Sequence, residues 1–140
     1  MWIFSRAGFF SAVQKGNKRG QEVCVRARVL EDFDRMRKLY YPEMGMVERS
    51  QNTDYPYRIF VSHDTWARVM EKMSKDINYE NFKNMVAKEQ GYERAHLYGD
   101  VWGVMYGAEK KLAPKPKTKT IRARLSQDEV DELRAFFDKE

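Results

Sequence analysis

Few residues in this sequence could carry acid-base or metal chemistry, because it contains only two histidines and one cysteine. His63 and Asp64 open a predicted helix, where an acidic side chain favours the helix dipole without any catalytic role. His96 and Asp100 are four residues apart on another predicted helix, a spacing that suits a metal or a side-chain pair. Two ligands at one spacing do not specify a metal site, so we predict no metal and no cofactor.

Nucleophilic catalysis has no local signature either. Ser62, which directly precedes His63, is assigned to a helix cap and not to a nucleophile, and no glycine-rich phosphate loop is present. Catalytic sites also assemble from distant positions, so a small nuclease or hydrolase that uses Asp54, His63 or His96 stays open as a hypothesis. The lone Cys24 stands among valines on a predicted strand and is interpreted as a small core residue, which fits a reducing, cytoplasmic setting.

The composition favours a single domain of ordinary size with a modest excess of positive charge. The 140 residues include 26 basic and 21 acidic side chains, a net charge of +5 that suits an anionic partner without requiring one. No apolar run approaches the roughly 20 residues that span a bilayer, and the first residues lack the pattern of a signal peptide. We therefore expect a soluble, cytoplasmic protein with no membrane partner.

The hydrophobic periodicity predicts three strands, a helix, two more strands and three helices before residue 108. Side-chain alternation indicates the strands, and apolar residues three or four apart indicate amphipathic helices. The predicted strands are residues 2–4, 9–14, 22–29, 46–51 and 57–62, and the predicted helices are 30–41, 63–75, 79–90 and 92–106. This order predicts an α+β fold: a two-layer sandwich in which an antiparallel sheet of four to five strands carries helices on one face.

The composition changes after this core domain, which we place at residues 1–108. Residues 109–119 hold two prolines and five lysines and are predicted to form an extended basic linker. Residues 120–140 are predicted to form a strand and then a helix that opens with a capping box at Ser126. The apolar face of this helix, with Phe136 and Phe137, must dock on the core, on a partner or on a second copy in a homodimer.

The segment TDYPYRIFVSHDTW, residues 53–66, joins the strongest predicted strand to a helix. Alternation places Tyr55, Tyr57, Ile59 and Val61 on one face, and Arg58, Phe60 and Ser62 on the other. We expect the first face to form the core beside Trp66, and Ser62 to cap the helix that begins at His63. Arg58 and Phe60 then remain on a face that is free for a ligand.

Basic and aromatic side chains on the predicted sheet indicate a candidate binding surface. RNA-binding sheets stack unpaired bases on aromatic rings beside arginines, although alternating aromatics are more often core residues. Basic side chains in the loop at residues 15–21 would add affinity for phosphates without reading sequence. The candidate binding residues are Arg26, Arg28, Arg58 and Phe60 on the sheet, with Tyr55 and Tyr57 nearby, Lys15, Lys18 and Arg19 in the loop, and Arg122 and Arg124 in the extension.

Three glycines recur every four residues along the last core helix, at Gly99, Gly103 and Gly107. Each costs about 1 kcal/mol relative to alanine inside a helix, so a packing reason is expected. The bare backbone would allow close approach of another element of the fold, or contact with a partner or a second copy.

Two resemblances extend this interpretation. Residues 1–107 resemble a family of small bacterial and phage proteins without an assigned activity, through Trp2-Ile3-Phe4, Gly8-Phe9-Phe10-Ser11, Thr53-Asp54-Tyr55, Asn81-Phe82-Lys83 and Val101-Trp102. Residues 120–140 resemble the first half of a ribbon-helix-helix DNA-binding unit, which implies that Thr120, Arg122 and Arg124 face the major groove from a dimer. The second helix of that family has no counterpart in the sequence.

These observations support one leading hypothesis and two alternatives. The leading one is a non-enzymatic binding or regulatory protein of phage or bacterial type that docks on a protein or nucleoprotein, for example as an inhibitor of a host or defence complex. The first alternative is an RNA- or DNA-binding module that uses the arginine-bearing sheet face. The second alternative is the small nuclease or hydrolase.

Overall fold

A computed structural model describes residues 1–14, 21–114, 127–128 and 131 of the chain. The chain divides into two units, Met1–Trp102 and Gly103–Glu140, and the strands found among the described residues all belong to the first unit. The elements are β1 (Trp2–Ser5), β2 (Gly8–Gln14), β3 (Glu22–Ala27), α1 (Leu30–Leu39), β4 (Glu48–Arg49), β5 (Tyr57–Ser62), α2 (His63–Lys75), α3 (Phe82–Gln90), α4 (Tyr92–Tyr106) and α5 (Ala108–Leu112).

The sheet is antiparallel throughout, with the strand order β1-β2-β3-β5-β4. The predicted α+β fold with an antiparallel sheet is therefore confirmed. β4 contains only Glu48 and Arg49, fewer residues than the predicted strand at 46–51, and both side chains are exposed. α5 covers the first residues of the predicted linker, because Ala-Glu-Lys-Lys-Leu is a good helix-forming sequence and the prolines begin only at Pro114.

Local side-chain chemistry sets the helix starts. The Ser62 hydroxyl accepts a hydrogen bond from the Thr65 backbone N–H at 3.1 Å, so the predicted cap of α2 is confirmed. Asn81 caps α3 in the same way, by accepting from the Asn84 N–H at 3.0 Å. α3 ends at Gly91, whose φ of 92° lies in the region that favours glycine. No helix among the described residues is long and apolar enough to cross a membrane.

The main hydrophobic core lies between one face of the sheet and helices α1 and α2. The residues of β5 that were predicted to face the core, Ile59 and Val61, are buried there together with Trp66. Phe10, Val25, Phe33 and Met36 are among its fully buried members. The predicted placement of helices on this face holds for α1 and α2.

Helices α3 and α4 form a second core cluster around Phe4 and Phe9. These two phenylalanines lie directly opposite each other across β1 and β2, and they alternate with Ile3 and Phe10 of the main core. Side chains alternate across a strand, so Phe4 and Phe9 emerge on the other face of the sheet. The ring of Tyr98 on α4 meets Phe4 edge-on at 5.0 Å between centroids. Both faces of the sheet at the β1 end are therefore covered.

Tyr55 does not share a face with Tyr57, so that part of the predicted alternation is wrong. β5 begins only at Tyr57, after Pro56, because the preceding residues form a loop in which the Ser50 N–H donates to the Pro56 carbonyl at 2.7 Å. The Tyr55 ring lies 6.3 Å from that of Phe9, on the face opposite the main core. The loop that contains Tyr55 therefore packs against the face of the sheet opposite the main core.

Candidate anion-binding surface

The strand register brings the predicted arginines together. Trp2, Ser11, Arg26, Arg58 and Glu48 are successive partners across β1, β2, β3, β5 and β4, so they form one row on the face opposite the main core. Neighbouring strands lie about 4.8 Å apart, which makes the backbones of Arg26 and Arg58 direct neighbours. The row thus places the cationic residues Arg26 and Arg58 next to each other. The Ser11 hydroxyl and the Trp2 indole follow on the Arg26 side, and the Glu48 carboxylate follows on the Arg58 side.

The Tyr55 ring makes cation–π contacts with two arginines, Arg26 and Arg28. The guanidinium carbon of Arg26 lies 4.6 Å from the centroid of the Tyr55 ring, and that of Arg28 lies 4.7 Å from it. Arg26 Nη2 also donates to the Ser11 hydroxyl at 2.7 Å. Tyr55 is only 6% exposed. A cation over an aromatic face is attracted by about 0.5–2 kcal/mol, so the ring fixes where these guanidinium groups lie without cancelling their charge.

Arg58 is positioned by the loop that precedes β5. Its Nη2 donates to the Tyr55 carbonyl at 3.1 Å and to the Thr53 hydroxyl at 3.2 Å. The Thr53 hydroxyl in turn donates to the Tyr55 carbonyl at 2.9 Å. These partners are neutral oxygens, so the contacts orient the Arg58 guanidinium and leave its positive charge in place.

The electrostatics of the row favour an anion. The Nε atoms of Arg26 and Arg58 are buried and have no hydrogen-bond partner among the described residues. A buried donor on a charged group carries a desolvation cost until it is paired, and two neighbouring cations repel each other. Glu48 at the end of the row is exposed and has interactions of its own. We call Arg26, Arg28 and Arg58 the arginine surface.

The aromatic residues predicted for base stacking have other roles. Tyr55 is buried beneath Arg26 and Arg28, and Tyr57 packs against the main core on the opposite face. Phe60 is half-buried on the arginine side of the sheet, where it has further contacts. Tyr55 is therefore too buried for bases to stack on it, and Tyr57 lies half-buried on the face opposite the arginines.

Several predicted site residues lie outside the described part of the chain. They are Lys15, Lys18 and Arg19 in the loop between β2 and β3, and Arg122, Arg124, Phe136 and Phe137 in the C-terminal segment. The predicted strand, helix and capping box of residues 120–140 also lie there for the most part.

The glycine positions on α4 do not show the predicted close packing. A Cβ atom built at Gly99 or at Gly103 would meet no atom within 4 Å, and one at Gly107 would meet only the Val104 carbonyl, at 3.4 Å. These three glycines therefore have no tight neighbour within the described residues. The expectation that they admit another element of the same fold is wrong for this part of the chain.

The residues considered for catalysis do not converge. His63 and Asp64 line an open cavity of about 550 Å³ at one end of β5, while Asp54 precedes the other end of that strand. Six strand residues span about 17–20 Å, so Asp54 and His63 cannot share a site. Within residues 1–14 and 21–114, no group of three His, Cys, Asp or Glu side chains could hold a metal ion. Cys24 is buried, as predicted.

A buried polar network at the β1–β2 turn was not predicted. Asp32 on α1 is 2% exposed and accepts hydrogen bonds from Arg35, from Arg94 Nη1 at 2.7 Å and from the Phe9 N–H at 3.0 Å. Burial raises the pKa of the Asp32 carboxyl, and Arg94 acts in the opposite direction. Arg35 Nε also donates to the Ala7 carbonyl at 2.8 Å. This network fastens α1 and α4 to the turn, and it is structural.

A second network centres on Arg6 in the same turn. Arg6 Nε donates to Glu89 on α3 at 2.7 Å, and Arg6 Nη1 reaches both oxygens of Asp76 at 3.2 Å. Asp76 also accepts from the Tyr40 hydroxyl at 2.7 Å. The hydrogen bond from Arg6 lowers the pKa of Glu89. No sequence signal links residues this far apart, so the sequence did not indicate this network.

Comparison of the chain with protein-family models, with curated proteins and with solved structures gave no match. The two resemblances drawn from the sequence therefore stay predictions.

Proposed function

We propose that this protein is a non-enzymatic binding protein that docks on a nucleoprotein or nucleic-acid target through its arginine surface. The observation that carries the proposal is a set of three arginines on one face of the sheet, two of which, Arg26 and Arg58, are cross-strand neighbours that donate to neutral oxygens. Phosphate oxygens supply the acceptors that such donors need, and arginine forms particularly strong charge-assisted hydrogen bonds with them.

The arrangement favours the phosphate backbone over the bases. Arg28 is exposed and shares Tyr55 with Arg26, so three cations lie on one face of the sheet. Tyr55 is buried and Tyr57 packs on the opposite face, so two of the rings predicted for stacking do not lie open beside the arginines. Contacts to phosphates position a protein without reading sequence, so we expect binding that depends on salt and little on sequence.

The regulatory role belongs to the same proposal. A protein that holds a nucleic-acid backbone without a catalytic site acts by occupying its target, as an inhibitor or regulator of phage or bacterial type would. The buried, lone Cys24 is consistent with action in the cytoplasm.

Fluorescence anisotropy with labelled oligonucleotides tests the proposal. A 20-nucleotide single strand and a 20-base-pair duplex are titrated with protein at about 50 and 200 mM salt. Each phosphate contact contributes about −0.7 to −0.9 to the slope of log K against log salt, so three arginines predict a slope of about −2 to −3. Arg28→Gln and Arg58→Gln are each expected to bring the slope closer to zero by about one contact.

Arg68→Gln provides the matched control. Arg68 is an exposed arginine on α2, the helix that packs on the opposite face of the sheet, and it makes a hydrogen bond to Thr65 at 3.2 Å. Its loss removes the same charge and should leave the affinity within about twofold of wild type. The proposal fails if no binding is seen up to about 100 µM protein at the lower salt, or if Arg68→Gln weakens binding as much as Arg58→Gln.

A further inference from the structure

The two edges of the sheet are protected very differently. β4, at one edge, has only Glu48 and Arg49, both charged and exposed. β1, at the other edge, is the four-residue sequence Trp-Ile-Phe-Ser, with no charge and no proline. Natural sheets blunt an edge with short strands, charges or prolines to prevent pairing with other chains. β4 has the first two of these protections, whereas β1 carries neither a charge nor a proline.

The register of β1 shows which of its backbone groups face away from the sheet. The Met1 amino group donates to the Ala12 carbonyl at 2.8 Å, and the Ala12 N–H donates to the Met1 carbonyl at 2.9 Å. Hydrogen-bonded and non-hydrogen-bonded pairs alternate along an antiparallel ladder, so the N–H and C=O groups of Trp2 and Phe4 point outward. No backbone hydrogen bond joins these groups to another residue within the described ranges.

A cavity of about 210 Å³ runs along this edge. One wall is formed by four consecutive residues, Ile3 to Arg6. Ile3, Phe4 and Ser5 belong to β1 and point alternately to its two faces, so a cavity that touches all three reaches the side of the strand. The opposite wall comes from the end of α2 and the residues that follow it, including Met73 and Ile77. The cavity thus adjoins the β1 edge at Ile3 to Ser5.

The lining indicates an uncharged occupant. Arg6 and Asp76 border the cavity, but their charges are paired: Arg6 donates hydrogen bonds to both Asp76 and Glu89. The other wall residues include Met70, Met73 and Ile77, of which Ile77 is 62% exposed. Methionine side chains adapt to apolar groups of different shapes.

We infer that the β1 edge binds an extended, uncharged segment of a partner protein, which adds as a sixth strand and inserts apolar side chains into the cavity. The outward N–H and C=O groups of Trp2 and Phe4 pair with the backbone of this segment, and the methionines receive its side chains. Main-chain hydrogen bonds supply the affinity in such strand addition, and pockets for alternate side chains supply the specificity. This site is separate from the arginine surface and does not depend on the proposed function.

Selection from a library of random dodecapeptides displayed on phage tests the inference with the full chain as bait. We expect enrichment of uncharged peptides with alternating apolar residues. Trp2→Pro removes one outward N–H without touching the ladder to β2, and the Trp2 side chain is 69% exposed. Trp2→Thr is the matched control, because it removes the indole and keeps the N–H. A synthesised enriched peptide should bind Trp2→Pro at least tenfold more weakly than wild type, and Trp2→Thr within about threefold.

A second measurement keeps the test independent of the folding of Trp2→Pro. The enriched peptide is synthesised again with N-methyl groups on alternate residues, in both possible registers, and one register should lose binding to the wild-type protein. Enrichment of charged peptides only, equal binding to both Trp2 variants, or full binding of both methylated peptides would each overturn the inference. A dimer of the protein alone that Trp2→Pro abolishes would assign the edge to a second copy and would also overturn it.

Discussion

Replacement of Asp32 by alanine should destabilise the protein more than any other single change to its polar groups. The Asp32 side chain is 3% exposed and accepts hydrogen bonds from Arg35, Arg94 and the Phe9 N–H. Truncation removes the acceptor for all three donors at once. The contacts of α1 and α4 with the β1–β2 turn would be weakened together.

The structure sets the expected magnitude. Removal of one partner from a buried ion pair costs about 3–5 kcal/mol, because the remaining charge stays desolvated. The side chains of Arg35 and Arg94 are 28% and 20% exposed, so both can recover some hydration after the change. We therefore expect a loss near the lower end, about 3 kcal/mol. Asp32→Asn should cost less than Asp32→Ala, because the amide keeps the shape of the side chain and a carbonyl acceptor.

Urea denaturation followed by far-UV circular dichroism measures these differences. Asp34→Ala is the control: it lies on the same helix and pairs with Arg37 at 3.9 Å, but its side chain is 59% exposed. An exposed pair of this kind contributes at most about 1 kcal/mol. A loss below about 1 kcal/mol for Asp32→Ala, or a loss equal to that of Asp34→Ala, would refute the structural role of the network.

Two further changes test other parts of the fold. Gly8→Ala should cost at least about 2 kcal/mol in urea denaturation, because Gly8 has a φ of 145° and a Cβ there would lie 2.6 Å from Asp32 Oδ2, whereas Gly45→Ala, with nothing within 4 Å, should stay within about 0.5 kcal/mol of wild type. Equal effects of the two changes would contradict the close approach of Gly8 to Asp32. Burial and the hydrogen bond to Asp76 raise the pKa of Tyr40 above its ordinary value of 10. Its contribution to stability is therefore complete below pH 10 and falls as the pH rises further, by up to about 1.4 kcal/mol per pH unit. Tyr40→Phe should show a shallower loss of stability above pH 10 in thermal melts, and an unchanged slope would contradict this assignment.

The sequence patterns predicted most of the secondary structure because the local signals agree. β5 alternates in side-chain character, and the Ser62 cap marks the start of α2, so both elements lie where they were predicted. α3 ends at Gly91, where the helical pattern stopped. These elements depend on interactions between residues only a few positions apart, and such interactions can be predicted from the local sequence.

The face occupied by Tyr55 could not be predicted in this way. Alternation assumes an extended chain, and the loop before Pro56 breaks that assumption. Tyr55 consequently lies beneath Arg26 and Arg28, on the side opposite Tyr57. The arginines of the candidate surface were predicted from the sequence. The position of Tyr55, which contacts Arg26 and Arg28, was predicted on the wrong face of the sheet.

The polar networks depend on pairing between distant parts of the chain. Asp32 and Arg94 are 62 residues apart, and Arg6 and Glu89 are 83 apart. An aspartate in the first turn of a helix is explained by the helix dipole alone, so nothing about Asp32 indicated a buried partner. Such pairs follow from the packing of α3 and α4 at the β1–β2 turn.

The arginine Nε–H signals in a nitrogen-15 NMR spectrum test the central claim most directly. The signals of Arg26 and Arg58 are assigned by their loss in the corresponding glutamine variants, and a 20-nucleotide single strand is then titrated into the labelled protein. We predict that these two signals shift most, because phosphates bind the same guanidinium groups, while the Arg68 signal stays in place. Binding of the oligonucleotide with the Arg26 and Arg58 signals unchanged would contradict the account.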